Sequence, residues 1–338
     1  MRPFDYASPG TIEETLALLA DSPPGGADGV RPLAGGTDLL TLMKADLVAP
    51  HLLVDIKRLA DLDGRIVAGP HGLEIGALAT LAQVEDDPGV RECYAALTEA
   101  AGVAASPQLR NVATIGGNLL QRPRCWYFRN PRVDCWLKGG ADCPAREGEN
   151  ALHALFGADP CVAAHPSDLA TALVALDAEV RLRGRGGERR LPVEAFFALP
   201  DAARRTETVL ASDELVVSLV IPAPAPGTRS TYLKAMDRKV WAFALVGVAA
   251  AVRLEGNRIA EARLVLGGVA PVPWRARSAE SLLVGSEPGE EVFARVADEA
   301  LAGATPLQDN GYKIPLAKTL IRRALAAVAS ERTALAAG

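Results

Sequence analysis

Three stretches of this chain place chemically useful groups at suggestive spacings. "LAGGTDLL", residues 33–40, and "TIGGNLL", residues 114–120, each set a glycine pair between an apolar strand end and polar residues. Paired glycines permit positive φ and let backbone N–H groups converge on an anion with no side chain in the way. Thr37 and Asp38 beside the first pair, and Thr114 and Asn118 beside the second, offer hydroxyl, carboxylate and amide contacts. One such loop alone is most often a tight strand-to-helix turn. Two alike, each followed by Leu-Leu, point to a cradle for a diphosphate. Neither is a G-x-x-x-x-G-K-[ST] phosphate loop and neither carries G-x-G-x-x-G, so mononucleotide hydrolysis and ordinary NAD binding lose support.

The third stretch, "RPRCWYFRNPRVDCWLKGGADCPAREGENALHALFGADPC", residues 122–161, holds four of the chain's five cysteines. Cys125, Cys135, Cys143 and Cys161 follow the spacing C-x9-C-x7-C-x17-C. Zinc sites usually show a short C-x-x-C or C-x4-C knuckle, which is missing here. His153 and His165 could add nitrogen ligands, although His165 belongs with the "HPSD" that follows. Disulfides would require an oxidising compartment, and a chain of this length has little need of them. An iron–sulfur cluster needs four thiolates, which an irregular loop can supply. Arg122, Arg124, Arg129, Arg132 and Lys138 would offset its negative charge. Spacing alone leaves the zinc, disulfide, cluster and free-thiol readings open. Cys93, in the helical pattern "VRECYAAL", reads as a small buried hydrophobe.

The elements that must position these groups alternate between strand and helix. "TIEETLALLA" opens with Thr11 and Glu14 at capping-box spacing and continues with helical periodicity. Strands are expected at "VRPL", "HLLVDI", "GLEIGALAT" and "ELVVSLVIP". "TDLLTLMK" reads as a helix, and 81–105 as helical around a break at Pro88–Gly89. Regular structure should lapse from about 121 to 160 and return as helix, then strand, over "SDLATALVALDAEVRLRG". "PAPAPG", 222–227, is a stiff linker. Beyond it, "WAFALVGVAAAV" reads as helical or irregular, "VRLEGNRIAEARLVLGG" as a hairpin, and 278–302 and 315–331 as helices. The strands are often half polar, which indicates mixed α+β layers rather than one buried parallel sheet. A net charge of −5 over 338 residues provides no field to recruit nucleic acid. The longest apolar run, 241–252, is too short to cross a bilayer, and the first residues lack the apolar core of a secretory signal.

The two glycine loops, about eighty residues apart, resemble the pyrophosphate-binding signatures of the flavoprotein subunits of molybdenum hydroxylases. "HPSDLATAL", "DELVVSLVIP" and "YLKAMDR" resemble that family's later segments in the same order, so the likeness runs from residue 1 to about 330. The resemblance implies an α+β fold with a two-subdomain, vanillyl-alcohol-oxidase-like FAD domain of the PCMH type over 1–222. Its subdomains would span about 1–57 and 58–222, with a cluster-loop insertion at about 121–162. A C-terminal α+β domain of the CO dehydrogenase flavoprotein type would follow over 227–338. It further implies FAD contacts from Ala34, Gly35, Gly36, Thr37, Asp38 and Leu39. Ala104, Ala105, Thr114, Gly117, Asn118, Asp168, Leu215, Val216 and Lys234 complete that set. Lys234 would sit near a flavin carbonyl and stabilise the reduced ring.

Most flavoprotein subunits of this family pass quickly from "GGN" to "SD". Two branches carry an extra loop holding a 4Fe–4S cluster: the 4-hydroxybenzoyl-CoA reductase type and the periplasmic aldehyde oxidoreductase type. "GGNLLQRPRCWYFRN" with "CVAAHPSDLA" is most similar to the aldehyde oxidoreductase branch. The likeness therefore implies Cys125, Cys135, Cys143 and Cys161 as cluster ligands in an electron-transfer subunit. A large molybdopterin subunit would oxidise aldehyde to carboxylic acid, and a small subunit with two 2Fe–2S clusters would carry electrons to FAD and an external acceptor. A 4-hydroxybenzoyl-CoA reductase-type or xanthine dehydrogenase-type subunit is the alternative. The compartment would be the periplasm, by co-export with a partner, or the cytoplasm.

Overall fold

The computed structural model describes residues 1–20 and 29–330; 331–338, the end of the expected C-terminal domain, lie outside the described residues. Strands β1 (Asp5–Ala7), β2 (Val30–Leu33) and β3 (Leu52–Asp55) form a parallel sheet in the order β1-β3-β2. β4 (Ile66–Gly69), β5 (Gly72–Gly76), β6 (Glu179–Gly184), β7 (Gly187–Pro192) and β8 (Glu214–Pro222) form an antiparallel sheet in the order β4-β5-β8-β6-β7. The long insertion between β5 and β6 therefore leaves and re-enters one sheet. β9 (Thr228–Ala235), β10 (Val246–Glu255), β11 (Arg258–Gly267) and β12 (Trp274–Arg275) form a third sheet, in the order β12-β11-β10-β9.

Local sequence explains most helix boundaries. Thr11 caps Ile12–Leu19 by accepting from the Glu14 amide, but Glu14 reaches back to the Gly10 amide instead of Thr11, so only half of the expected box forms. A complete capping box sits at Thr80 and Gln83, starting Leu81–Asp86. Asp87 then ends one helix and caps the next, Pro88–Cys93, whose proline occupies the first turn where no N–H is needed. Ala95–Gly102 follows after Tyr94. Cys93, expected to be buried, is exposed because it ends this short helix on its solvent side.

Two further expectations are overturned. Residues 246–252 are a buried strand, paired on both sides with β9 and β11. A central strand buried on both faces loses the period-2 signal that marks a half-exposed one. The expected helix over 278–302 is two, Arg277–Leu283 and Glu290–Ala300, separated by a turn containing Gly285, whose φ is +83°. The last helix is Lys313–Ala329.

Side chains of β5, β6, β8 and the helices 81–102 and Asp168–Ala175 build the larger core. The second core lies between the third sheet and the C-terminal helices. Tyr232, Ala249 and Val265 of the third sheet belong to the first core, so the sheet serves both. A smaller apolar cluster gathers Leu42, Phe128, Trp136 and Leu137 around Cys135 and Cys161.

Candidate functional site

The two glycine loops lie against each other. A Cβ on Gly35 would stand 2.1 Å from the Val112 carbonyl oxygen and 3.2 Å from the Ala113 Cα, so only glycine allows this approach. Gly36 has a φ of +70°. Ala34 to Leu39 are half-buried as the chain turns from β2 into the helix Leu39–Lys44. The second loop is fastened by bonds from the Ile115 amide to the Ala79 carbonyl (2.8 Å) and from the Leu81 amide to the Ala113 carbonyl (2.9 Å). Thr114 accepts from the Gly117 amide at 3.2 Å and starts the short turn Ile115–Leu119. Asn118 accepts at Oδ1 from the Ser167 hydroxyl, and Ser167 Oγ accepts from the Ala170 amide at 3.0 Å. Thus the second loop positions the start of the helix Asp168–Ala175.

Asp168 is buried and receives two side-chain donors: Lys234 Nζ at 2.7 Å and the Tyr232 hydroxyl. Lys234 also donates to the Val103 carbonyl at 3.0 Å, beside Ala104, which is buried, and Ala105, which has a φ of +51°. Burial pushes the Asp168 carboxyl above the usual range, opposed by the Lys234 ammonium and the Tyr232 hydroxyl. Burial and the neighbouring Asp168 also push the Tyr232 phenol well up. Leu215 and Val216 are buried in the larger core, where β8 pairs with Arg183 and Leu182 beside a bulge.

Asp38 faces the cysteine segment. Its Oδ2 accepts from the Arg122 amide at 2.9 Å, and its Oδ1 from Arg129 Nη2 at 2.8 Å and from Arg124. Burial raises this carboxyl, but Arg124 and Arg129 outweigh it and hold the pKa below the ordinary value. Sequence reasoning placed Asp38 at a loop nest and did not foresee these arginines, which follow 84 to 91 residues later.

The cysteine segment has little regular structure beyond Trp126–Arg129 and Trp136–Lys138. The Cys161 sulfur accepts from the Ala163 amide at 3.5 Å, and Cys125, Cys135 and Cys161 gather in one apolar cluster. Proximity to Cys161 brings the Cys143 thiol down to about 6, while Cys143 and burial push the Cys161 thiol up. Burial raises Cys125 to about 11. His153 Nε2 lies 3.2 Å from the Cys125 sulfur. Among the described residues, no group of three or more His, Cys, Asp or Glu side chains is arranged to hold a metal ion.

The segment is held from the C-terminal side as well. Lys313 is fully buried and donates to the carbonyls of Leu152 (3.0 Å), His153 (2.9 Å) and Gly268 (2.8 Å). Asn310 Nδ2 donates to the His153 and Ala154 carbonyls. A cavity of about 360 Å³ opens between these parts. Cys125, Trp126 and His153 line one side, and Ser167, Asp168 and Tyr232 another, with Arg238 and Phe243 at a third. Neither the glycine loops nor Leu215 and Val216 line this cavity.

An α+β fold with abutting glycine loops and a separate C-terminal sheet defines a flavin-binding class. Residues 2–224 match the family described as the FAD binding domain in molybdopterin dehydrogenase, and residues 231–328 match the CO dehydrogenase flavoprotein C-terminal domain. The chain belongs to this family of FAD-binding subunits of molybdenum hydroxylases. It is 39% identical to the aldehyde oxidoreductase FAD-binding subunit PaoB of Escherichia coli K12, over 99% of this chain and 100% of that one. It is 30% identical to the carbon monoxide dehydrogenase medium chain of Hydrogenophaga pseudoflava, over 95% of this chain and 96% of that one. A solved carbon monoxide dehydrogenase from H. pseudoflava lacking the Mo-pyranopterin moiety matches with a TM-score of 0.76 at 29% identity, over 97% of both chains.

Proposed function

We propose that this chain is the FAD- and 4Fe–4S-binding electron-transfer subunit of a molybdenum-dependent aldehyde oxidoreductase. The observation that carries the substrate class is the full-length, 39% identity to the FAD-binding subunit of an aldehyde oxidoreductase. FAD, when bound, supplies the capacity to accept two electrons and release them singly or in pairs. The chain's own residues bind and orient it. The apposed loops, with Ala34–Leu39 on one side and Thr114, Gly117 and Asn118 on the other, suit two negative phosphates, and their close contact at Gly35 supports that fit. The Asn118–Ser167 bond carries the loop's position to Asp168, and Asp168 fixes the Lys234 ammonium next to Ala104 and Ala105. Leu215 and Val216, packed in the larger core together with Ala104, are the apolar residues of this reading.

The cluster reading is supported by the donor set. Cys125, Cys135 and Cys161 gather in one apolar cluster, and the Cys161 sulfur accepts from the Ala163 amide at 3.5 Å, the kind of N–H bond that stabilises charge on a cluster thiolate. The partners in this reading are a large molybdopterin subunit, a small 2Fe–2S subunit and an external acceptor. Export to the periplasm would be as a folded complex with a partner. The test is anaerobic purification of the complex with determination of iron, acid-labile sulfide and FAD per chain, for wild type and Cys135→Ser. Loss of about four irons from Cys135→Ser is the expected result; an unchanged iron count overturns the cluster assignment. Failure of aldehydes to bleach the flavin absorbance of the intact complex overturns the substrate class.

A further inference from the structure

We propose that Asp38 is a positioning residue through which the first glycine loop and the cysteine segment stabilise each other, so that FAD binding and cluster occupancy are coupled. This rests on the two cofactor assignments above.

The contacts form an unbroken route. Asp38 stands two residues past the Gly35–Gly36 pair and has 15% side-chain exposure. It takes three donors, all from residues 122–129, which bracket Cys125. Arg129 is itself fixed by bonds to the Pro123 carbonyl at 2.8 Å and the Arg122 carbonyl at 2.9 Å. Arg122 pairs with the buried Glu207 at 3.1 Å and donates to the Arg205 carbonyl at 3.2 Å. Arg205 then reaches the far side of the segment. It donates to the Trp136 and Gly140 carbonyls, and its guanidinium lies 4.7 Å from the Trp136 ring centre. Cys135 is the residue before Trp136. Loop, Cys125 and Cys135 are thus joined by charge-assisted bonds that a slack cysteine segment could not hold in register.

Coupling of this kind is reciprocal: whatever orders the segment strengthens the loop's hold on its ligand, by the same factor that the ligand strengthens the segment. The Asp38 carboxylate therefore orders the FAD loop through the arginines of the cysteine segment.

The test is a double-mutant cycle on the complex, read as the FAD dissociation constant from flavin fluorescence, with iron loss timed under a chelator. Asp38→Asn and Cys135→Ser should each weaken FAD about tenfold, and the pair together by no more than either alone. Asp38→Asn should also speed iron loss. Unchanged FAD affinity in Asp38→Asn, or effects that multiply to about a hundredfold in the pair, overturns the coupling. Should Asp38→Asn not fold by circular dichroism, Arg205→Gln replaces it: this residue touches the cysteine side only, and FAD affinity unchanged in it refutes the route. Failure of the underlying readings looks different. Thr37→Ala with Asn118→Ala leaving FAD affinity intact refutes the cradle, and Cys135→Ser leaving iron intact refutes the cluster; either removes one end of the route, and the coupling falls with it.

Discussion

Removing the Lys234 ammonium by Lys234→Met should destabilise the fold in a pH-dependent way. The ammonium has 1% side-chain exposure and its partner Asp168 5%, with 2.7 Å between charged atoms. The substitution leaves Asp168 with the Tyr232 hydroxyl as its remaining side-chain donor, and takes a donor from the Val103 carbonyl. Deleting one partner of a buried pair costs about 3–5 kcal/mol, because the other charge stays buried. The carboxyl can escape part of that cost by taking up a proton. Its folded pKa is raised by burial even in the native protein, and loss of Lys234, which opposes the rise, moves it higher. A group with a raised folded pKa binds more protons folded than unfolded. Stability is therefore full below the unfolded carboxyl value of about 4 and falls as pH rises through the folded value. Urea denaturation of wild type and variant, followed by circular dichroism between about pH 5 and pH 8, should show the gap widening with pH. Adding Asp168→Asn should recover about 2 kcal/mol at the upper end, since no buried charge remains. A gap independent of pH, or strictly additive losses in the double variant, refutes the buried-pair reasoning.

Gly35→Ala should force the two glycine loops apart, because backbone lies 2.1 Å from the new Cβ; a loss of about 1–3 kcal/mol is expected together with FAD release, both measurable by thermal melting and flavin fluorescence. Lys313→Met takes a donor from three inward carbonyls, of which that of His153 keeps Asn310. A loss of about 3 kcal/mol in melting and faster iron release from the complex should follow, since residues 152–153 lose their anchor. Cys93 should be the first thiol alkylated by a maleimide in the native protein, with the buried Cys135 and Cys161 reacting only after unfolding, as peptide mass analysis would show.

The parts of the molecule legible in the sequence were those governed by local chemistry. Glycine pairs at strand ends, a helix break at Pro88–Gly89 and a four-cysteine stretch without periodicity each announce themselves within a few residues. β10 did not, because Val246–Val252 is apolar at every position once both faces are covered, and Gly247 and the alanines carry no strand preference. Cys93 misled for the opposite reason: its spacing is helical, but the helix is six residues long and buries only Val90. The tie of Asp38 to Arg124 and Arg129 and that of Lys313 to residues 152–153 join positions far apart in the chain, and no local rule connects them. Arginines that read as a counter-charge for a cluster serve in part to hold a loop of another layer. Asp309, Asn310 and Lys313, just ahead of and at the start of the last helix, grip the cysteine segment, and no local signal announced it.

The join at residues 223–227, exposed and rich in proline, invites a scissors cut into two pieces. β9, which begins immediately after it, denies that simplicity. Thr231 and the Tyr232 amide both donate at 2.7 Å to Glu99 of the preceding half, and the Ala96 amide donates to Ser230. Tyr232 and Lys234 sit on this strand, while their carboxylate partner comes from residue 168. Separately expressed halves would thus each carry an incomplete pocket, and yellow colour would return only on mixing.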